Sequence, residues 1–360
     1  MANPLAEISQ AGVAVWLDDL SRERLQNNSL TDLIKHDSVV GVTTNPSIFS
    51  AAIGKSSLYR EDIIANKTLS IEEIIMRLTT DDVRKACDLF KETYENTKHV
   101  DGKVSIEVDP RFAHDTQATI EQGKELWRLI DRPNLFIKVP ATIEGLPAIT
   151  QLIAEGISVN VTLIFSVERY KQVLAAYSDG LNKLIKVGRP VNEVFSVASF
   201  FVSRVDTAVD PLLPVDSILR GSAAISNAAM AYEAFQSFEA SATWKNLKSA
   251  GCNSQRPLWA STGVKDPSYD PNRYVIDLIA PNTVNTMPEL TLESVKKTGV
   301  FKGLTINNNL ALAKSNLARL ALAGIDLDKI TKELEIDGVK KFEMAWLELM
   351  NSVRTILSGV

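Results

Sequence analysis

Leu135-Phe136-Ile137-Lys138-Val139-Pro140 places a cation inside an otherwise apolar run that stops at a proline. Proline has no amide to give a ladder, so a strand here must end close to Pro140, with Lys138 near its C-terminal end. Other runs share the pattern. Val13, Val15 and Leu17 alternate with Ala14, Trp16 and Asp18; Val40 and Val42 with Thr43 and Asn45. Val104, Ile106 and Val108 alternate with Ser105, Glu107 and Asp109; Val159, Val161 and Leu163 with Ser158, Asn160 and Thr162. Period-two alternation describes a strand with two unlike faces. A parallel barrel wrapped by helices produces this pattern. Apolar side chains meet the helices, and polar ones point inward at the C-terminal rim, where such barrels keep their chemistry.

Three further runs, Val194 to Val202, Pro257 to Thr262 and Thr283 to Met287, bring the strands to eight. Helical spacing separates them at 80–95, 114–130, 166–187 and 217–250. Ser70 with Glu73 has the spacing of a capping box, and Gly156 sits where a helix should stop. Strand and helix alternating at this count predict a (β/α)8 barrel. Phe342, Trp346, Leu349, Val353 and Ile356 share one face at helical spacing, so a helical extension over 306–360 should pack on the body. With no low-complexity stretch or Pro/Gly/Ser linker, residues 1–360 read as a single domain.

A net charge of −5 argues against nucleic acid as a partner, because phosphate backbones need a basic surface. No apolar stretch approaches a membrane span and the start lacks a signal-like core, so a cytoplasmic protein is expected, away from any membrane. Cys87 and Cys252 support no disulfide framework, and Cys87 falls on an apolar helical face with Val83, Phe90 and Tyr94. His36, His99 and His114 match no zinc spacing, so no metal is expected. Dinucleotide and P-loop glycine patterns and a Gly-x-Ser-x-Gly elbow are absent as well.

Chemistry therefore centres on Lys138. A lysine in an apolar strand either guards an edge or, once deprotonated, attacks a carbonyl to form a Schiff base. Imine formation expels water, which needs a proton donor and acceptor beside the amine. Glu107 and Thr162, on the preceding and following strands, are expected as lateral neighbours of Lys138 able to hold that water. Glu107 is equally suited to a plain salt bridge with Lys138. Asp18 closes the first strand and is either a general base facing the same cavity or a cap for the helix that begins near Ser21. Asn45, held extended by Pro46, is either a simple turn residue or an amide offered to sugar hydroxyls.

Gly41-Val42-Thr43-Thr44-Asn45-Pro46-Ser47-Ile48-Phe49, the Leu135–Thr142 stretch and Asn160-Val161-Thr162-Leu163-Ile164-Phe165-Ser166 together resemble the signature segments of transaldolases. The similarity runs from about residue 12 to 205 and resumes from Leu258 to about Pro288. It is to the longer bacterial branch, the type also found fused to a sugar-phosphate isomerase. The resemblance implies transfer of a dihydroxyacetone unit between sugar phosphates in the non-oxidative pentose phosphate pathway, with no cofactor, by a monomer or homodimer. It implies that Lys138 is the Schiff-base lysine and that Asp18 handles the C4 hydroxyl proton. Glu107 and Thr162 would hold the water, and Asn45 and Asn160 would bind hydroxyls. Thr43 and Ser199 would line the site, Phe201 would shield it, and Arg204 and Ser261 would meet the phosphate. Compact members carry an arginine where this chain has Gly263, and Lys265 is the expected substitute. Residues 206–256 are longer than in compact members and read as a helical insertion. Two rival readings share the barrel: a lysine aldolase releasing dihydroxyacetone, and a non-catalytic sugar-phosphate-binding protein. Retention of Lys138, Asp18 and Glu107 favours the transferase over both.

Overall fold

Each alternating run forms a strand in the computed structural model, which describes residues 3–359. The strands are β1 (Val13–Leu17), β2 (Val39–Val42), β3 (Lys103–Glu107), β4 (Leu135–Pro140), β5 (Val159–Ile164), β6 (Ser196–Phe201), β7 (Gln255–Ala260) and β8 (Thr283–Met287). All neighbours pair in parallel, in sequence order, and β8 returns to β1 with Val13 opposite Thr283 and Leu17 opposite Met287. The result is a closed (β/α)8 barrel, as the strand count predicted.

Two apolar layers follow from the alternation. Val13, Val15, Leu17, Ile106, Ile137, Val139 and Val161 belong to the large cluster between strands and helices. A second cluster fills the barrel: Trp16, Phe136, Phe195, Val197, Leu258 and Val284. Gly41 is required by this filling, because a Cβ there would lie 2.5 Å from the Trp16 indole. The alternation fails at one predicted place. Leu163 has φ +59 and the β5–β6 register shifts between Val161 and Ile164. Leu163 consequently joins the inner cluster instead of the outer one. A bulge that re-aims side chains beside a functional rim has this effect.

The capping box forms in both directions between Ser70 and Glu73 at the start of the helix Ile71–Leu89. Gly156, at φ +80, follows the helix Gly145–Ala154. The predicted helix 217–250 is two helices, Ala223–Ala240 and Ala242–Ser249, divided at Ser241, whose hydroxyl caps the second. The chain closes with Thr305–Leu322 and a 32-residue helix, Leu327–Ser358. That last helix crosses the C-terminal mouth of the barrel. A Cβ on Gly338 would stand 3.1 Å from Leu163, and Phe342 packs against Phe201 with ring centroids 6.5 Å apart. Among the described residues no helix is long and apolar enough to cross a membrane.

Candidate active site

Parallel pairing puts the rim residues side by side. Glu107 is opposite Lys138, and Lys138 is opposite Asn160. Thr162 is opposite Pro140, one layer nearer the mouth. The direct lateral neighbours of Lys138 are therefore Glu107 and Asn160, not Glu107 and Thr162. Strand stagger sets that offset, and stagger belongs to barrel closure rather than to any one strand.

Lys138 is 4% exposed; its Nζ donates to the Thr44 carbonyl at 3.1 Å and stands 3.1 Å from Glu107 Oε2. Lys138 is the only donor the Glu107 carboxylate meets among the described residues. Burial pushes the Glu107 carboxyl up to about 7, although the Lys138 ammonium opposes the shift. Thr162 is fully buried, and its hydroxyl has no partner among the described residues. A buried carboxyl raised toward neutrality beside an amine, with a free hydroxyl one layer nearer the mouth, is suited to moving protons to and from a small molecule.

Asp18 continues β1 beyond Leu17, its amide bonded to the Met287 carbonyl at 2.8 Å. The Thr43 hydroxyl donates to Asp18 Oδ1 at 2.6 Å and lies 2.7 Å from the hydroxyl of Thr286. Burial raises the Asp18 pKa, against the opposing pull of Lys138 and the Thr43 hydrogen bond. Asp18 is not the cap of the next helix; Ser21 accepts from the Arg24 amide in that role.

Asn45 caps the helix Pro46–Lys55 through Oδ1, which accepts from the Ile48 amide at 3.0 Å. Its side-chain NH2 group is left to donate. Asn160 is locked on both sides, donating to Ser105 Oγ at 3.0 Å and accepting from Ser199 Oγ at 2.7 Å. Phe201 lies between Phe165, at 5.1 Å, and Phe342.

Arg204, on the short helix Ser203–Val209 after β6, pairs with no carboxylate among the described residues. Asp206, two residues on, is occupied by the Tyr274 hydroxyl and the Ala224 amide, both at 2.8 Å. One Arg204 nitrogen is buried without a partner among the described residues, and the guanidinium lies 5.4 Å from the Phe201 ring centre. Ser261, at φ +56, brings its hydroxyl within 3.0 Å of Ser203. Lys265 is exposed, and its Nζ lies 3.9 Å from where a Gly263 Cβ would stand.

Four contributors escaped the sequence reading. Thr44 and Thr286 hold Lys138 and Thr43. Phe342 faces Lys138 Nζ at 5.5 Å, and Trp346, one turn further along the last helix, lines the same cavity as Glu107. Lys103 is the fifth surprise, although its signal was present: it is in phase with Ser105 and Glu107, and so points inward. It is fully buried below the site, with Nζ 3.9, 4.5 and 5.4 Å from the ring centres of Phe195, Tyr94 and Phe136. Among the described residues no three His, Cys, Asp or Glu side chains converge as a metal site would require.

Comparison with known proteins matches residues 15–353 to the family described as Transaldolase/Fructose-6-phosphate aldolase. The chain is 53% identical over 360 residues to a transaldolase of Mycolicibacterium smegmatis, covering 98% of this chain and 97% of that one. It is 52% identical over 359 residues to a transaldolase of Acidothermus cellulolyticus, with 98% and 96% covered. A transaldolase of Mycobacterium tuberculosis is 51% identical over 366 residues, with 99% and 98% covered.

Proposed function

This chain belongs to the transaldolase and fructose-6-phosphate aldolase family, and from that premise we propose that it is a transaldolase acting through an imine on Lys138. The observation that carries the reading is the buried pair of Lys138 and Glu107, 3.1 Å apart, with the Glu107 oxygens and the Thr162 hydroxyl free of other partners. In this mechanism the Lys138 amine adds to the C2 carbonyl of fructose 6-phosphate or sedoheptulose 7-phosphate. Glu107 and Thr162 serve the water lost from the carbinolamine. Asp18 takes the C4 hydroxyl proton, the C3–C4 bond breaks, and the aldose phosphate leaves. The retained dihydroxyacetone unit stays on the lysine as a stabilised carbanion, with Asn45 and Asn160 donating to its hydroxyls. It then adds to glyceraldehyde 3-phosphate or erythrose 4-phosphate.

Thr43 and Ser199 position Asp18 and Asn160, Phe201 walls the chamber, and Arg204 with Ser261 takes the phosphate. Lys265 supplies a second cation in place of the arginine that Gly263 lacks. The cover over Lys138 formed by Phe342 favours transfer over release of free dihydroxyacetone, because it limits protonation of the carbanion by solvent. On this reading the whole chain works as one cytoplasmic domain, a monomer or homodimer, with the helices of 206–256 and 306–360 extending a single barrel. Borohydride reduction with fructose 6-phosphate, followed by peptide mass mapping, tests it. A three-carbon adduct is expected on the peptide containing Lys138; an adduct on another lysine, or none, would sink the proposal.

A further inference from the structure

Glu107 has a second side. Besides meeting Lys138, it lines a cavity of about 120 Å³ that Lys138 does not line. Thr79, Met76, Phe49 and Leu126 form part of its wall, and Thr44 and Asn45, at the edge of the active site, line it too. At about 30 Å³ of liquid volume per molecule, such a space takes roughly four waters. Its inner end is the Glu107 carboxylate, whose side chain is 3% exposed and meets no donor but Lys138 among the described residues. The Trp346 indole, also on this wall, has a buried N–H with no partner among the described residues. The outer end reaches solvent at Arg111 and Glu72, which are 36% and 43% exposed and 3.4 Å apart. Arg111 is steadied there by Asp109 at 2.6 Å and by the Trp346 ring, 6.0 Å away.

We propose that this cavity is a rear solvent passage, through which the water expelled at Lys138 leaves and later returns, with the Arg111–Glu72 pair as its outer gate. The inference rests on the imine reading above. In that step the C2–O bond breaks as the nitrogen lone pair forms C=N. The departing hydroxyl takes a proton from the Glu107 carboxyl and becomes water, leaving a protonated imine and a carboxylate. At that moment the bound sugar and its phosphate fill the front of the chamber, and the last helix lies across the mouth. Glu107 is the wall shared by chamber and cavity, so the water is produced at the passage's inner end. Glu107, Thr79, Gln122, Asp109 and Arg111 on the lining give a water polar partners on its way.

The test uses fructose 6-phosphate labelled with oxygen-18 at C2 and compares label loss from unreacted ketose with turnover, after correction for exchange without enzyme. Thr79→Leu narrows the cavity, and the lost hydroxyl served only its own helix, bonded to the Ile75 carbonyl at 2.9 Å. A trapped water should add back to the imine, so the ratio of label loss to turnover should fall several-fold. Arg111→Ala opens the outer gate and should raise the ratio. An unchanged ratio in Arg111→Ala overturns the proposal, as does an unchanged ratio in a folded Thr79→Leu. If Thr79→Leu does not fold, Arg111→Ala decides alone. Failure of the wild-type protein both to lose label and to form a borohydride adduct would instead reject the imine reading.

Discussion

The Phe342 ring covers the Lys138 ammonium, with Nζ 5.5 Å from the ring centre, and so joins the last helix to the fourth strand of the barrel. A cation facing a partly desolvated aromatic ring gains about 1–2 kcal/mol. The ring also stands between the lysine and the open mouth. Phe342→Ala should lower transfer about tenfold, the factor that ~1.4 kcal/mol represents. It should also raise the free dihydroxyacetone released per transfer, measured by enzymatic assay without an acceptor. Equal losses of transfer and release would mean that Phe342 only supports the fold.

Glu107 and Asp18 should separate by step and by pH. A carboxyl raised to about 7 is protonated below neutrality and ionised above it. The hydrolytic release of the imine needs the carboxylate to activate water. Its rate should therefore rise with pH through a midpoint near 7, and Glu107→Gln should abolish that dependence. Asp18→Asn should form the imine at a near-normal rate yet cleave the C3–C4 bond about 10²–10⁴-fold more slowly. Stopped-flow absorbance of the imine with quenched-flow product analysis distinguishes the two; the same step slowed in both variants would refute the division.

Arg204 is a half-buried guanidinium with one unpartnered nitrogen, which leaves it free to grip a phosphate with two hydrogen bonds. Arg204→Ala should cost about 10- to 100-fold in kcat/KM for fructose 6-phosphate, the equivalent of one or two charge-assisted bonds, and far less for unphosphorylated fructose. Arg204→Lys should recover only part of the loss, because an ammonium cannot reproduce the fork. Lys265→Ala should show a smaller, phosphate-dependent loss. Steady-state kinetics with both ketoses provide the measurement.

Lys103 makes a prediction about stability. Burial lowers its pKa to about 7 from 10.5, and the three surrounding rings temper that cost without removing it. Below pH 7 both folded and unfolded chains hold the proton, and the folded protein bears the burial penalty. Between about 7 and 10.5 only the unfolded chain holds it, so this group adds stability as pH rises. Lys103→Met should therefore raise Tm most at about pH 6, by on the order of 2 °C or more, with the gain shrinking toward pH 10. Calorimetry across that range tests it; a gain that grows with pH would reverse the assignment.

Much of this protein is dictated locally. Alternation in Val104–Val108 and Leu135–Pro140 requires strands, and Pro140 requires the strand carrying Lys138 to end beside it. Ser70 with Glu73 determines a helix start, because both halves of that cap lie within four residues. The inward phase of Glu107, Lys138 and Asn160 follows from period two alone. Other features depend on contacts between distant parts. The stagger that puts Asn160, not Thr162, beside Lys138 arises when eight strands close into a ring. The positive φ of Leu163 goes with a register shift against β6 and a side chain packed beside Gly338, contacts made only across the tertiary fold. Helical spacing marked Phe342 and Trp346 as one apolar face, but not what it would cover. An apolar stripe specifies burial without direction, and only the packed fold turned that face toward Lys138 and Glu107.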